Sequence, residues 1–227
     1  MSEMNTDGPS RGTRLAETRL KGLASRPPLE DTKEVHLVDN PTLKAIRERR
    51  SATQFTSDPV SDELIEAILE AGRWAPSGLN SQPWEFVVVR DPEVRAGMAS
   101  ILQQITFFWK GFATAPVMIV VAVDPDKDPA HFVEDGAVAA QNLCLAAQSL
   151  GLATSWAGVH GGGSRRRSAQ HKLRRLLSLP KGHRVIAVIP IGSLWAGPRS
   201  DRRPLSEMTH RDRYEGSPAS RPLPVGA

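Results

Sequence analysis

Apolar positions along the chain alternate between a helical period and short uninterrupted runs. After Ser61, whose side chain is typical of a helix N-cap, large apolar residues recur every three or four positions up to Trp74. This spacing predicts an amphipathic helix. Similar signals predict further helices over residues 42–50, 92 to about 104, 132–150 and 168–178, and Gly151 is the predicted C-cap of the third of these.

Uninterrupted apolar runs bounded by Pro, Gly or charged residues predict the strands. The runs are residues 86–90, 116–123, 152–158 and 184–191. Those at 116–123 and 184–191 are apolar at consecutive positions, which is typical of strands buried on both faces at the centre of a sheet. The longest run, Ala115–Val123, is far shorter than the roughly 18 residues of a membrane span, so no membrane contact is predicted.

The two ends of the chain differ in composition from its middle. Residues 1–39 carry scattered charge, Gly and Pro, which predicts a disordered segment or an arm on the surface. Residues 217–227 are rich in Pro and Gly and predict a mobile tail. Residues 40–216 are predicted to form one domain. Within it, Gly161–Arg167 is interpreted as a flexible connection on the surface.

Composition narrows the class of protein. Of 227 residues, 40% are hydrophobic and 24% are charged, as in soluble globular proteins. The single cysteine, Cys144, excludes an internal disulfide, and the six histidines lack metal-ligand spacing, so no metal site is predicted. The net charge is +4, but no aromatic residues are interleaved with the basic cluster around Arg165, so nucleic-acid binding is not predicted. Without a secretory signal, the expected location is cytoplasmic.

A polar stretch, Ala75–Phe86, connects the predicted helix at 61–74 to the first predicted strand. Pro76 and Pro83 restrict its backbone. Its hydrogen-bonding side chains are those of Ser77, Asn80, Ser81 and Gln82. One interpretation is an ordinary surface loop; the other is a rigid polar rim for a planar, hydrogen-bonding ligand.

Two pairs of arginines lie near opposite ends of the predicted domain. Arg49 and Arg50 precede Ser51 at a helix end, and Arg202 and Arg203 lie near the C-terminus. Each pair alone is typical of a solvated surface, but together with the polar loop they favour a phosphate-bearing ligand held by charge-assisted hydrogen bonds. No Gly-x-Gly-x-x-Gly, P-loop or Gly-x-Ser-x-Gly motif is present.

The order of these segments resembles the nitroreductase family of flavin enzymes, over about residues 43–214. The matching fragments are, in chain order, Arg49-Arg50-Ser51, Ala75-Pro76-Ser77, Asn80-Ser81-Gln82-Pro83-Trp84, Glu134-Asp135-Gly136, Gln141-Asn142-Leu143, Gly151-Leu152, Trp156-Ala157-Gly158, Val188-Ile189-Pro190-Ile191-Gly192 and Arg203-Pro204-Leu205. Each fragment alone is a weak signal, whereas their order and spacing together are specific.

The resemblance implies an α+β fold, a three-layer α/β/α sandwich with a central mixed sheet, in an intertwined homodimer that binds FMN at its interface. It places the phosphate and ribityl chain on Arg49, Arg50 and Ser51, with Arg202 and Arg203 also at the phosphate. Pro76, Ser77 and Asn80, with Gln82 in the same loop, would approach the flavin of the partner subunit. Backbone N–H groups around Ala157 and Gly158 would face the N5 and O4 edge.

The reaction implied by the resemblance is ping-pong hydride transfer. NADH or NADPH would reduce FMN at N5 and leave, and a small electron-poor acceptor such as a nitroaromatic or quinone would take its place. No catalytic side chain is implied, because the flavin carries the chemistry. Many members carry Arg or Lys where this chain has Thr53, near the pyrimidine edge, so either the flavin potential differs or another arginine compensates. The Gly161–Arg167 insert is also unusual: it is either a mobile surface loop or a border of the site that would favour an acidic substrate or the extra phosphate of NADPH.

Two other functions remain open at this point. Relatives of the same family use the flavin to oxidise a peptide-derived or cyclic dipeptide substrate. A flavin-binding module without turnover is the second alternative.

Overall fold

The computed structural model describes residues 40–105, 109–161, 163–196 and 202–214. The predicted arm at 1–39 and the predicted tail at 217–227 lie outside the described residues. Among the described residues, 40–196 belong to one compact unit and 202–214 to another. All elements of the fold up to residue 196 belong to the first unit.

Antiparallel strands form the centre of this unit. A five-stranded sheet contains β2 (Trp84–Val89), β3 (Val117–Val123), β4 (Ala153–Thr154), β5 (Ala157–Gly158) and β6 (Arg184–Gly192). β3 lies between β2 and β6, and both β4 and β5 pair with β6. A second, two-stranded sheet pairs β1 (Gln54–Phe55) with β7 (Leu194–Ala196). All seven residues of β3 are buried, which confirms its predicted central position.

Six helices accompany the strands in the described residues. They are α1 (Pro41–Glu48), α2 (Asp62–Arg73), α3 (Pro92–Leu102), α4 (Trp109–Thr114), α5 (Phe132–Ser149) and α6 (Ser164–Leu176). Local sequence accounts for several of their ends. The Ser61 side chain accepts from Leu64 N at the start of α2, and Asp91 caps α3 in the same manner. Gly151, with φ of +76°, follows the end of α5 as predicted.

The core has two main halves, one on each face of the sheet. On one face, Ile68 of α2 and Leu143 of α5 pack against Ile119 and alternate residues of β3. On the other face, Met98, Phe112 and Leu173 contribute from α3, α4 and α6. Because side chains alternate along a strand, β3 serves both halves. The helices therefore form two layers around the sheet, which confirms the predicted α+β sandwich.

The pairing of the strands differs from the predicted mixed sheet. All pairings among its five strands are antiparallel, and the parallel contact is an isolated bridge between Ser51 and Thr154. The predicted strand at 152–158 is interrupted at Ser155 and Trp156, so it forms β4 and β5 separately.

The boundary of α6 differs from the prediction. The helix begins at Ser164, four residues before the predicted start, so Arg165–Arg167 lie in its first turn and not in a flexible connection. Gly163 adopts an extended conformation immediately before it. Glycines obscured this start in the sequence, because they supply no N-cap side chain.

Candidate cofactor site

The segment after α1 is fastened to the edge of the sheet. Ser51 forms the parallel bridge with Thr154 of β4, and Ala52 N donates to Thr154 O at 2.8 Å. Arg49, Arg50 and Ser51, which are distant from β4 in the sequence, are therefore held next to β4, the strand that precedes β5 and its Gly158. We call residues 49–53 the arginine segment.

The two arginines of this segment are half-buried and differ in their contacts. The Arg50 guanidinium donates to the carbonyl oxygen of Arg49 at 2.9 Å and also to that of Arg47. Arg49 lies close enough to Cys144 for its charge to influence that thiol. Burial nevertheless raises the pKa of Cys144, with the Thr154 side chain and Arg49 opposing the rise. The buried thiol is thus neutral, as predicted for a core cysteine.

The register of β5 determines which way its backbone points. Ala157 lies opposite Val188, Gly158 opposite Ala187, and Val159 N donates to Ile186 O at 2.9 Å. Hydrogen-bonded and non-bonded pairs alternate along an antiparallel ladder, so Ala157 and Val159 face β6 while the N–H and C=O of Gly158 point away from it. Of the two predicted backbone donors, only Gly158 therefore directs its N–H to the free side of β5.

Arg166 occupies that free side. Its guanidinium, extending from the first turn of α6, donates to the carbonyl oxygen of Gly158. Because the N–H and C=O of a strand residue point in the same direction, a cation lies beside the Gly158 N–H. The sequence singled out Arg166 only as part of the insert at 161–167, because a flexible connection gave its side chain no fixed position.

The polar loop, residues 75–83, has an unusual backbone. Leu79, Asn80 and Gln82 have φ of 50°, 57° and 46°. Left-handed conformations are rare for residues other than Gly and cost of order 1–3 kcal/mol each where the surroundings enforce them. Gln82 N donates to the Ser77 hydroxyl at 3.0 Å, and Gln82 Nε2 donates to Asn80 O at 3.2 Å. The loop is thus cross-linked internally, while the Asn80 side chain is exposed.

Two buried carboxyl groups lie beneath this loop. Asp135 is 5% exposed and Asp128 is 8% exposed. Gly78 N donates to Asp135 Oδ1 at 3.2 Å, and no donor among the described residues reaches Asp135 Oδ2. A Cβ placed on Gly78 would lie 2.2 Å from Asp128 Oδ2. The loop backbone therefore rests directly on the start of α5, at a position that only glycine fits.

The environment shifts the pKa values of these carboxyl groups in opposite directions. Desolvation raises the pKa of Asp135, and the Asp128 charge adds to the rise. The backbone N–H of His131, followed by that of Ala130, lowers the pKa of Asp128 by hydrogen bonding to its charged form. Within the pair, Asp135 is thus the group that more readily holds a proton, and Asp128 is the group that is more readily ionised.

The polar loop and the arginine segment contact opposite parts of α5. Gly78 contacts Asp135 in its first turn, whereas α1, which ends just before Arg49, lines a pocket with Asn142, Leu145 and Ser149 of α5. At 1.5 Å per residue these positions are at least about 10 Å apart along the helix. The structure therefore brings Arg49, Arg50, Ser51 and Thr53 near β4, but separates them along α5 from Pro76, Ser77, Asn80 and Gln82.

Arg202 and Arg203 belong to the second unit. Both side chains are exposed, and they precede a short 3-10 helix at Leu205–Glu207. Their predicted place at the phosphate stays a prediction.

Metal-binding and membrane-spanning features are absent from the described ranges. In the part of the chain that the structure describes, no group of three His, Cys, Asp or Glu side chains is arranged to hold a metal ion. No helix among those residues is long and apolar enough to cross a membrane.

Comparison with known proteins places this geometry in a family. The nitroreductase family profile matches residues 46–108 and 106–193. A protein of Methanothermobacter thermautotrophicus, assigned as an NADH dehydrogenase/NAD(P)H nitroreductase, is 37% identical over 152 residues, covering 66% of this chain and 75% of its own.

Solved structures give the same result. A nitroreductase of Desulfovibrio desulfuricans in complex with FMN has a TM-score of 0.65 and 35% identity, covering 78% of this chain and 99% of its own. The NADPH:FMN oxidoreductase of Vibrio harveyi complexed with NAD⁺ has a TM-score of 0.66 and 26% identity, covering 78% and 79%. With the family profile matched over most of the described residues, these likenesses confirm the resemblance seen in the sequence: the chain belongs to the nitroreductase family.

Proposed function

We propose that this protein is an FMN-dependent NAD(P)H oxidoreductase that reduces small electron-poor acceptors such as nitroaromatics or quinones. The observation that carries the proposal is the bridge between Ser51 and Thr154. It joins the residues suited to a phosphate to β4, and the residue suited to the flavin ring, Gly158, lies in β5 directly after it. Relatives named NAD(P)H nitroreductase and NADPH-flavin oxidoreductase, and a related structure that contains FMN, support the same assignment.

The arginine segment fits the phosphate of FMN. Two guanidinium groups and the Ser51 hydroxyl supply donors of the kind that bind phosphate through charge-assisted hydrogen bonds. Both arginines are half-buried, so less of their charge is screened by water than at an open surface.

Gly158 fits the polar edge of the ring. Its N–H points away from β6, toward the free side of β5. FMN, when bound, would supply the hydride transfer through its N5, which is chemistry that no side chain of the protein supplies. The chain's part is to donate the Gly158 N–H and to place Arg166 beside it, where a positive charge favours an anionic ring.

The position and exposure of the polar loop favour a homodimer in which two subunits share each site. The loop's contact with α5 at Asp135 is at least about 10 Å along that helix from the residues that α1, just before the arginine segment, meets. Leu79 at its tip is fully exposed in spite of its large apolar side chain, and Trp74 before the loop is 73% exposed. A rigid loop that presents apolar surface is typical of an interface. We therefore assign Pro76, Ser77, Asn80 and Gln82 to the flavin held by the partner subunit.

The donor, NADH or NADPH, and the acceptor would use one place on the ring in turn. We propose the cytoplasm as the compartment. The two alternatives, an oxidase of a peptide-derived or cyclic dipeptide substrate and a flavin-binding module without turnover, use the same FMN site. They differ from the reductase in the reaction that the bound flavin undergoes.

Anaerobic flavin reduction tests the proposal. The purified protein should be yellow, elute as a dimer and lose its absorbance near 450 nm when NADH or NADPH is added without oxygen. Addition of a quinone should restore the colour. A flavin that neither nicotinamide bleaches would contradict the reductase function, and one that bleaches but is not reoxidised by any quinone or nitroaromatic would favour the binding module. A chain that takes up no FMN would overturn the site.

A further inference from the structure

A cavity of about 510 Å³ lies between the end of α3 and the start of α6. It is lined by Gln103, Gln104, Ile105, Gly163, Ser164, Arg165 and Arg166. Two guanidinium groups from α6 and two side-chain amides that follow α3 give it a lining rich in hydrogen-bond donors. Its volume is within the range of ordinary small-ligand pockets.

The two arginines that line this cavity lack an acidic partner among the described residues. Arg165 and Arg166 lie in the first turn of α6, which contains no acidic residue. Cations at a helix N-terminus are unfavourable, because the backbone N–H groups there already carry partial positive charge. None of the ion pairs between described residues involves Arg165 or Arg166. An anion in the cavity would relieve this repulsion.

Arg166 connects the cavity to the cofactor site. Its guanidinium lines the cavity and also donates to the Gly158 carbonyl, on the side of β5 to which the Gly158 N–H points. A molecule lying against the ring edge at Gly158 therefore has the cavity beside it. Arg165, the preceding residue, is exposed and lines the same cavity.

We propose that this cavity binds an anionic group, a phosphate or a carboxylate, of the molecule that exchanges hydride with the flavin, with Arg165 as a specificity-determining residue. The proposal rests on the proposed function of the site. Two sources share this chemistry: the additional phosphate that distinguishes NADPH from NADH, and a carboxylate on the acceptor.

The experiment compares R165Q with wild-type holoenzyme in two kinetic ratios. One is kcat/KM for NADPH divided by that for NADH; the other is kcat/KM for 4-nitrobenzoate divided by that for its methyl ester. Loss of one charge-assisted contact should lower one ratio by about tenfold. A fall in the first ratio assigns the cavity to the donor phosphate, and a fall in the second assigns it to an acidic acceptor.

R175Q is the matched control. Arg175 is an exposed arginine on the same helix, ten residues and about 15 Å further along, and it changes net charge equally. Both ratios should stay within twofold of wild type in R175Q. If R165Q leaves both ratios within twofold, or if R175Q lowers them as much as R165Q does, the proposal is overturned.

Measuring ligand binding directly distinguishes failure of this proposal from failure of the proposed function. Isothermal titration with 2′-AMP and with 4-nitrobenzoate should show that R165Q weakens the affinity for one of them by about tenfold, and that R175Q does not. Equal affinities in R165Q and wild type for both probes would overturn the cavity assignment even in a yellow, reducible enzyme. Failure of FMN uptake, read from absorbance, would instead count against the proposed function.

Discussion

The polar loop and the arginine segment, both assigned to FMN, are built in different ways. The loop has three residues in the left-handed region, internal hydrogen bonds and a backbone contact to buried Asp135. The arginine segment is held by its main chain, through the bridge to Thr154. The Arg50 guanidinium donates to carbonyl groups of Arg47 and Arg49, close to it in the chain.

The polar loop thus contributes a fixed backbone shape to the site, and the arginine segment contributes positive charge. The loop is preorganised, so a substitution there should affect the stability of the fold and the site together. The arginine segment supplies charge from a position that the main chain fixes, so a side-chain substitution there should affect ligand affinity and leave the fold nearly unchanged. Variants in the two regions test that separation, from the largest expected effect to the smallest.

Gly78→Ala should lower the free energy of unfolding by about 3 kcal/mol, because overpacking against a fixed group is costly. The new Cβ would lie 2.2 Å from Asp128 Oδ2 and 3.1 Å from His131 Nδ1. Asp128 cannot yield easily, since it accepts hydrogen bonds from two backbone N–H groups. Urea denaturation measures the effect. Gly182→Ala is the control, as its Cβ would meet no atom within 4 Å. Equal stability of the two variants would show that the loop is not rigid.

Arg49→Ala should weaken FMN binding by about 2 kcal/mol, or roughly thirtyfold, through loss of a charge-assisted phosphate contact. Fluorescence titration of the apoprotein with FMN gives the dissociation constant. Arg47→Ala removes the same charge from the preceding helical turn and should change affinity by less than about threefold. If Arg49→Ala binds FMN as wild type does, the phosphate lies elsewhere.

Thr53→Arg should raise the two-electron potential of bound FMN by about 20 mV. The reason is that a cation near the pyrimidine edge stabilises the anionic reduced ring by about 1 kcal/mol. Dye-coupled reductive titration provides the measurement. Ser57→Arg, at an exposed position four residues away, should leave the potential unchanged. A potential in Thr53→Arg that equals that of wild type would place that residue away from the ring.

Asp135→Asn should produce the smallest change, visible as a pH dependence. Because the pKa of Asp135 is raised in the folded protein, its ionisation destabilises the fold as pH rises from about 3.8 through the raised value. The variant keeps an oxygen acceptor for Gly78 N–H and carries no charge. As pH rises through this range, the free energy of unfolding of the variant should therefore increase relative to that of wild type. Urea denaturation at several pH values measures this difference.

Asp128→Asn should behave in the opposite sense. The lowered pKa of Asp128 stabilises the fold above its unfolded value, and this contribution is lost as pH falls through the folded value. The loss in free energy of unfolding caused by Asp128→Asn should thus become smaller as pH falls. If both variants showed the same dependence of stability on pH, the opposite pKa shifts of Asp135 and Asp128 would be contradicted.

Periodicity predicted the parts of the fold that depend on local sequence. Ser61 starts its helix as the predicted N-cap, and the consecutive apolar residues of β3 correctly indicated a central strand. The start of α6 was misplaced, because its first turn of Ser and Arg after glycines carries neither a cap nor an apolar period. That error also hid Arg166 among the candidate residues.

The sequence by itself determined the family, the order of elements and the residue types of the candidate site, because these follow from local propensity and from motifs in a set order. Tertiary structure alone decided that Ser51 meets Thr154, that Gly158 and not Ala157 turns its N–H outward, and that Gly78 rests on Asp135. Each of these depends on strand register or on packing between segments distant in the chain. No local pattern encodes such contacts, because their energy comes from groups that only folding brings together.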